Sequence, residues 1–215
     1  MSRYPGGQSS APSDADPRIK IVSLGSTGVG KSCLIKHFCE GRFVAKYIPT
    51  IGIDYGVKRV EVRAPRSVSS ATSNVSVRVN FWDMSGGNEF LEVRNEFYGA
   101  AEGILLVYDV TDAASFSALE GWLGEADKYR NTKPADASAA KLGDPRRYVT
   151  VVCGNKVDEA GDNGSGGKRR AVTEATGRKW AQDRGFKYFE TSACTGAGVM
   201  EAFQALFTDV VAAFF

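Results

Sequence analysis

The segment that most limits how this chain can fold is GSTGVGKS, Gly25 to Ser32. It follows a short apolar run, RIKIVSL, and opens a stretch of helical pattern. Its glycines let backbone N–H groups turn inward as a concave nest, and the helix start adds the positive end of its dipole. That surface suits phosphate. In the GxxxxGK[ST] pattern the backbone of Thr27, Gly28, Val29, Gly30, Lys31, Ser32 and Cys33 wraps the phosphates. Lys31 neutralises the β- and γ-phosphates, and the Ser32 hydroxyl is placed to bind Mg²⁺.

The rest of the chain alternates in kind. Strands are expected at about residues 18–25, 53–63, 75–83, 103–109, 148–154 and 187–191. Helices are expected at about 31–40, 88–98, 114–130, 174–184 and 197–213, with Thr173 as a start signal and Gly41 and Gly185 as stops. Alternation on this scale predicts an α/β fold: a six-stranded, mostly parallel sheet with helices on both faces. The runs VKRVEVR and VSVRVNFWD read instead as an antiparallel hairpin with a long polar loop. The stretches 131–147 and 159–170 read as polar insertions. In the last helix Val199, Phe203, Leu206, Val210 and Phe214 share one face, which predicts docking on the domain rather than on a membrane.

With 215 residues there is enough chain for one domain with a full core. Residues 1–17 are mostly Ser, Pro, Gly and Asp and are expected to form a disordered tail, leaving 18–215 as the domain. A net charge of +2 argues against a nucleic-acid partner. Cys33, Cys39, Cys153 and Cys194 are irregularly spaced beside a lone histidine, His37. That excludes a zinc-finger spacing and a disulfide framework, and it predicts a reduced, cytoplasmic setting. His37 reads as a surface or packing residue. No apolar run reaches the ~18 residues of a membrane span. Neither a signal peptide nor a C-terminal prenylation cysteine is legible, so no direct lipid anchor is expected.

Three further motifs fall at strand ends. Asp83-Met84-Ser85-Gly86 offers a carboxylate for Mg²⁺ and a Gly86 amide for a γ-phosphate. DxxG alone is common in turns; its place after the phosphate loop and the hairpin gives it weight. VVCGNKVD puts Asn155, Lys156 and Asp158 after a buried strand. A carboxylate at Asp158 can accept from guanine N1–H and the N2 amino group, a donor pair that adenine lacks. Lys156 can lay its stem along the base and reach back to the phosphate loop. In ETSAC, the turn at Ser192, Ala193 and Cys194 can present an N–H to guanine O6.

These four motifs, in this order, resemble the small Ras-superfamily GTPases over residues 18 to about 213. YIPTIGIDYG is close to the Rab pattern. IGIDYGVKRVEVR, VRNEFYG, GILLVYDV and FETSA look like the Rab-related family that often carries a C-terminal J domain; no J-domain motif is present up to Phe215, so this is either a form without that module or a fragment. The resemblance implies a Ras-like P-loop fold acting as a GTP/GDP switch with Mg²⁺, expected as a monomer. It implies that Thr50 joins Ser32 and Asp83 at the metal, with Lys31, Thr50 and Gly86 at the reacting phosphate. It further implies that Tyr47 closes over the nucleotide and Phe43 lies against the guanine. Effectors would meet Ile51, Tyr55, Trp82, Phe90 and Phe97, although these could equally be core residues. An exchange factor and a GTPase-activating protein are expected, and trafficking or a ciliary role is an analogy.

One departure divides two functions. Most relatives carry glutamine after DxxG, where it orients the attacking water, whereas here FWDMSGGNEF places Gly87. Either the chain is a weak GTPase, with Asn88 or Glu89 able to stand in, or it is a nucleotide-gated binding module with negligible hydrolysis. An ATP-using enzyme is disfavoured by Asn155-Lys156-x-Asp158.

Overall fold

The computed structural model describes residues 17–45, 48–63, 74–130, 148–161 and 168–215. Strand β1 (Arg18–Leu24) feeds the glycine loop and helix α1 (Lys31–Glu40). Strands β2 (Ile53–Arg63) and β3 (Asn74–Met84) pair antiparallel along their whole length, from Ile53 opposite Met84 to Arg63 opposite Asn74. A 3₁₀ turn at Asn88–Phe90 then leads into α2 (Leu91–Tyr98), β4 (Gly103–Asp109), α3 (Ala113–Ser117) and α4 (Leu119–Arg130). The chain finishes through β5 (Val149–Asn155), the short pair β6 (Ala160–Gly161) and β7 (Lys168–Arg169), α5 (Glu174–Gln182), β8 (Lys187–Glu190) and α6 (Val199–Phe214).

The six-stranded sheet runs β2-β3-β1-β4-β5-β8, parallel apart from the β2–β3 pair. Strand-by-strand alternation sends two sets of side chains to opposite faces. Ile19, Ile21, Leu105, Val107, Val151 and Cys153 pack under α1 and α6. Val22, Leu24, Ile104, Leu106, Tyr108 and Val152 pack on the other side with Tyr98, Leu119 and Trp122. On α6 the expected stripe is buried from Val199 to Val210, with Phe214 partly covered, so this helix is docked.

Because β1 lies between β3 and β4, the chain's winding reverses at β1. A crevice opens beyond the carboxyl ends of parallel strands at such a reversal, and ligands of open α/β sheets bind there. All four motifs leave the sheet at this edge.

Several local expectations need correction. The helix expected from residue 88 begins with a 3₁₀ turn and becomes α-helical only at Leu91. The single helix over 114–130 is two, meeting at Ala118; Asp112 caps the start of α3, and Ser115 Oγ ties that start to β4 by accepting from Asp109 N. Gly185 has φ +73, but α5 ends earlier, at Asp183. The flanks of the second insertion pair as β6 and β7. Expectations for residues 1–16, Tyr47, the hairpin loop 64–73, 131–147 and 162–167 fall outside the described residues. Thr173 does cap α5, its Oγ1 accepting from Thr176 N at 3.2 Å. Thr173→Ala is expected to lower the unfolding free energy by about 1 kcal/mol; an unchanged urea midpoint would show that the cap contributes nothing.

Candidate functional site

The loop after β1 is shaped by what presses on it. Gly30 has φ +101, a left-handed conformation that strains any other residue, and a Cβ there would strike Asn155 Nδ2. Gly86 lies against the loop from the far side. A Cβ on it would overlap Thr27 N and Ser26 C, so only glycine lets the DMSG turn approach this closely. Within the loop Lys31 is buried, its Nζ donating to Gly25 O at 2.7 Å and Ser26 O at 3.1 Å. Burial lowers its pKa to about 8, while Asp83 pulls the other way. A polyphosphate beside this ammonium would favour its charged form.

Three oxygens meet next to Lys31. Ser32 Oγ is 2.9 Å from Thr50 Oγ1, and Thr50 Oγ1 donates to Asp83 Oδ2 at 3.5 Å. Asp83 is itself held from below by Ser23 Oγ at 2.8 Å, and Ser23 Oγ accepts from Met84 N at 3.2 Å. Burial raises the Asp83 pKa, against the hydrogen bonds from Ser32 and Ser23. A buried carboxylate beside two hydroxyls is an all-oxygen set suited to a hard divalent cation. Such an ion would also relieve the cost of burying the charge.

The base side is organised by Asn155. Its Nδ2 donates to Val29 O at 2.8 Å, while its Oδ1 accepts from Thr191 Oγ1 and Ala193 N, both at 3.2 Å. One buried amide thus fastens the glycine loop to the turn after β8. Lys156 has φ +68, which no other described non-glycine residue shares. Its Nζ pairs with Asp109 Oδ2 at 2.7 Å. Burial works against the Asp109 carboxylate, but hydrogen bonds from Lys156 and Thr111 outweigh it and hold its pKa below the ordinary value. His37 does more than fill space: its Nδ1 donates to Ala193 O at 2.9 Å, bracing the same turn from α1.

These parts enclose a cavity of about 540 Å³, within the range of small-molecule sites. Thr27, Gly28, Gly30, Lys31, Ser32, Cys33, Phe43, Thr50, Gly86, Asn155, Lys156, Asp158, Ala193 and Cys194 line it. Val29, Asp83 and Ser192 are buried beneath the wall. Ile51 and Phe90 stand at the cavity. Tyr55, Trp82 and Phe97 form a separate group outside it, with ring centroids 4.7 Å and 4.5 Å apart in sequence. Tyr55 is 52% exposed and the other two are half-buried, so the group is neither pure core nor pure surface.

Sequence reasoning missed Ser23, Asp109 and above all Arg94. Arg94 is 1% exposed, and its Nη1 donates to Ser85 O at 3.1 Å and Gly87 O at 2.5 Å. Its other nitrogens hold Glu125 at 2.7 and 3.0 Å, and Tyr98 OH donates to the same carboxylate at 2.5 Å. The Asp at the end of GILLVYD was the one legible signal, a carboxylate leaving a buried strand at the site's edge.

Comparison with known proteins agrees with this geometry. The Ras family model matches residues 20–212. DnaJ homolog subfamily C member 27 of Rattus norvegicus is 43% identical over 208 residues, covering 95% of this chain and 67% of that protein. The proteins of the same name from Danio rerio and Homo sapiens are 47% and 44% identical, over 90% of this chain and 61% and 62% of their own lengths. The chain thus spans about two thirds of the length of these relatives. They bear out the resemblance to the Rab-related GTPases that often carry a J domain. With the family model covering nearly all of the described chain, the protein belongs to the Ras family.

Proposed function

We propose that residues 18–215 form a guanine-nucleotide switch that binds GTP and GDP with Mg²⁺ and hydrolyses GTP slowly on its own. The observation that carries this reading is the Asn155 amide. It joins the phosphate loop, through Val29 O, to the turn that carries Ala193, so phosphate and base subsites are one rigid unit.

In this reading the loop amides and Lys31 hold the phosphates. Ser32, Thr50 and Asp83 hold Mg²⁺, which when bound offsets charge on the β- and γ-phosphates. Thr50 and the Gly86 amide respond to the γ-phosphate, as the switch segments of a nucleotide-gated protein do. Asp158, exposed at the cavity, selects guanine, and Lys156, anchored by Asp109, covers the base. Tyr55, Trp82 and Phe97 make the effector face between these segments, with Tyr55 the exposed aromatic of the group. An exchange factor and an activating protein complete the cycle. A second reading, a nucleotide-gated binding module with negligible hydrolysis, is favoured by the bare Gly87.

Two measurements test this. Chromatography of nucleotide released from the purified chain should show GDP or GTP; a bound adenine nucleotide would contradict the reading. Asp158→Ala should weaken GDP by about 1–3 kcal/mol through loss of a charged acceptor, and undiminished GDP affinity would remove Asp158 from its role.

A further inference from the structure

The backbone does not ask for glycine at position 87. Gly87 has φ −78 and ψ 140, extended values that any residue adopts. What a side chain there would meet is Glu89: a Cβ built on Gly87 falls 2.5 Å from Glu89 Oε1 and 2.6 Å from Oε2 and Cδ. The Glu89 carboxylate therefore fills the volume in which a residue-87 side chain would begin. The Gly87 backbone beneath it is held, since Arg94 donates to Gly87 O and Gly87 N donates to Ser85 Oγ at 3.3 Å. Glu89 also lines the same cavity as Lys31, Thr50 and Gly86. Asn88, the other residue able to stand in, is exposed like Glu89 but does not line the cavity.

We infer that Glu89 takes the place of the absent residue-87 side chain and positions the attacking water, an inference that rests on the guanine-nucleotide reading above. The carboxylate accepts a hydrogen bond from the water. The water oxygen forms a bond to the γ-phosphorus, and the bond from that phosphorus to the β–γ bridging oxygen breaks. Its electron pair stays with GDP; one water proton remains on the new P–OH, and the other passes to another oxygen of the released phosphate. An ionised carboxylate only accepts, whereas a glutamine amide both accepts from water and donates to a phosphate oxygen. Its charge also opposes that of the γ-phosphate. Glu89 is thus a working but poorer substitute, and its signature is double: it sustains a slow rate and it disfavours triphosphate against diphosphate.

The test uses the full chain as wild type, Glu89→Ala, Gly87→Gln and the double variant. GDP affinity, expected unchanged in all four, reports an intact fold. Glu89→Ala should improve the affinity for GTPγS relative to GDP by about three- to tenfold, as a like charge is removed. It should slow single-turnover GTP hydrolysis by about 10- to 100-fold, at or below the range of general-base catalysis, since the carboxylate orients the water and does not keep its proton. In the Gly87→Gln background, where glutamine has displaced the carboxylate, Glu89→Ala should change neither quantity. A Glu89→Ala rate equal to or above wild type would overturn the inference. So would equal effects in both backgrounds, which would mean that the two residues act independently. Failure of the wild type to bind GDP would instead overturn the nucleotide reading, and the inference with it.

Discussion

Gly87→Gln is expected to raise the single-turnover rate of GTP hydrolysis by about 10- to 100-fold without any partner. Nucleotide binding draws on Lys31, Ser32, Thr50 and Asp83, and residue 87 touches none of their hydrogen bonds. Affinity for GDP should therefore stay within a factor of about three. The substitution is sterically open, because the backbone is extended and the obstacle is the far end of a flexible side chain. An activating protein that supplies an arginine would add about 10³–10⁵ in rate, and one that also supplies a glutamine would make the wild type and Gly87→Gln converge. A wild-type rate equal to that of Gly87→Gln without any partner would show that the bare glycine carries no catalytic cost.

Arg94→Ala is expected to lower the unfolding free energy by about 3–5 kcal/mol, as removal of one partner from a buried ion pair does. The guanidinium is enclosed, packs over the Trp122 ring at 4.9 Å and satisfies two carbonyls of the Ser85–Gly87 turn. Its loss leaves Glu125 and both carbonyls short of a donor. The same turn carries Gly86 and precedes Glu89, so the stability loss should be accompanied by faster hydrogen exchange around residues 85–90. Urea unfolding and hydrogen exchange measure the two effects. A midpoint shift worth less than about 1 kcal/mol would mean that water replaces Arg94 at little cost.

The architecture was legible because burial enforces periodicity. The expected bounds of β2, β4 and α1 match those observed, and the hairpin's antiparallel sense followed from two alternating runs with a polar break. The phosphate-side and base-side residues were legible for a different reason: each belongs to a short motif at a strand end. What connects the motifs was not legible. Arg94 and Glu125 are 31 residues apart and Ser23 and Asp83 are 60, and nothing local marks either pair. Asn155 was read as a base-side residue, yet its amide spends every hydrogen bond shown on tying loops together. The meaning of Gly87 needed three dimensions too, since glycine in a sequence suggests a backbone requirement and here the occupant of the space is Glu89. The break at Ala118 escaped because it is slight: Ala118 N still donates to Ala114 O and Trp122 N to Ala118 O, inside a continuous helical pattern.

The central claim is selective guanine-nucleotide binding, and titration of the nucleotide-free chain with GDP and with ADP in the presence of Mg²⁺ tests it most directly. The account predicts that GDP binds at least about a hundredfold more tightly than ADP, because Asp158 at the cavity is left without its donor pair by adenine. Equal affinities for the two would contradict it.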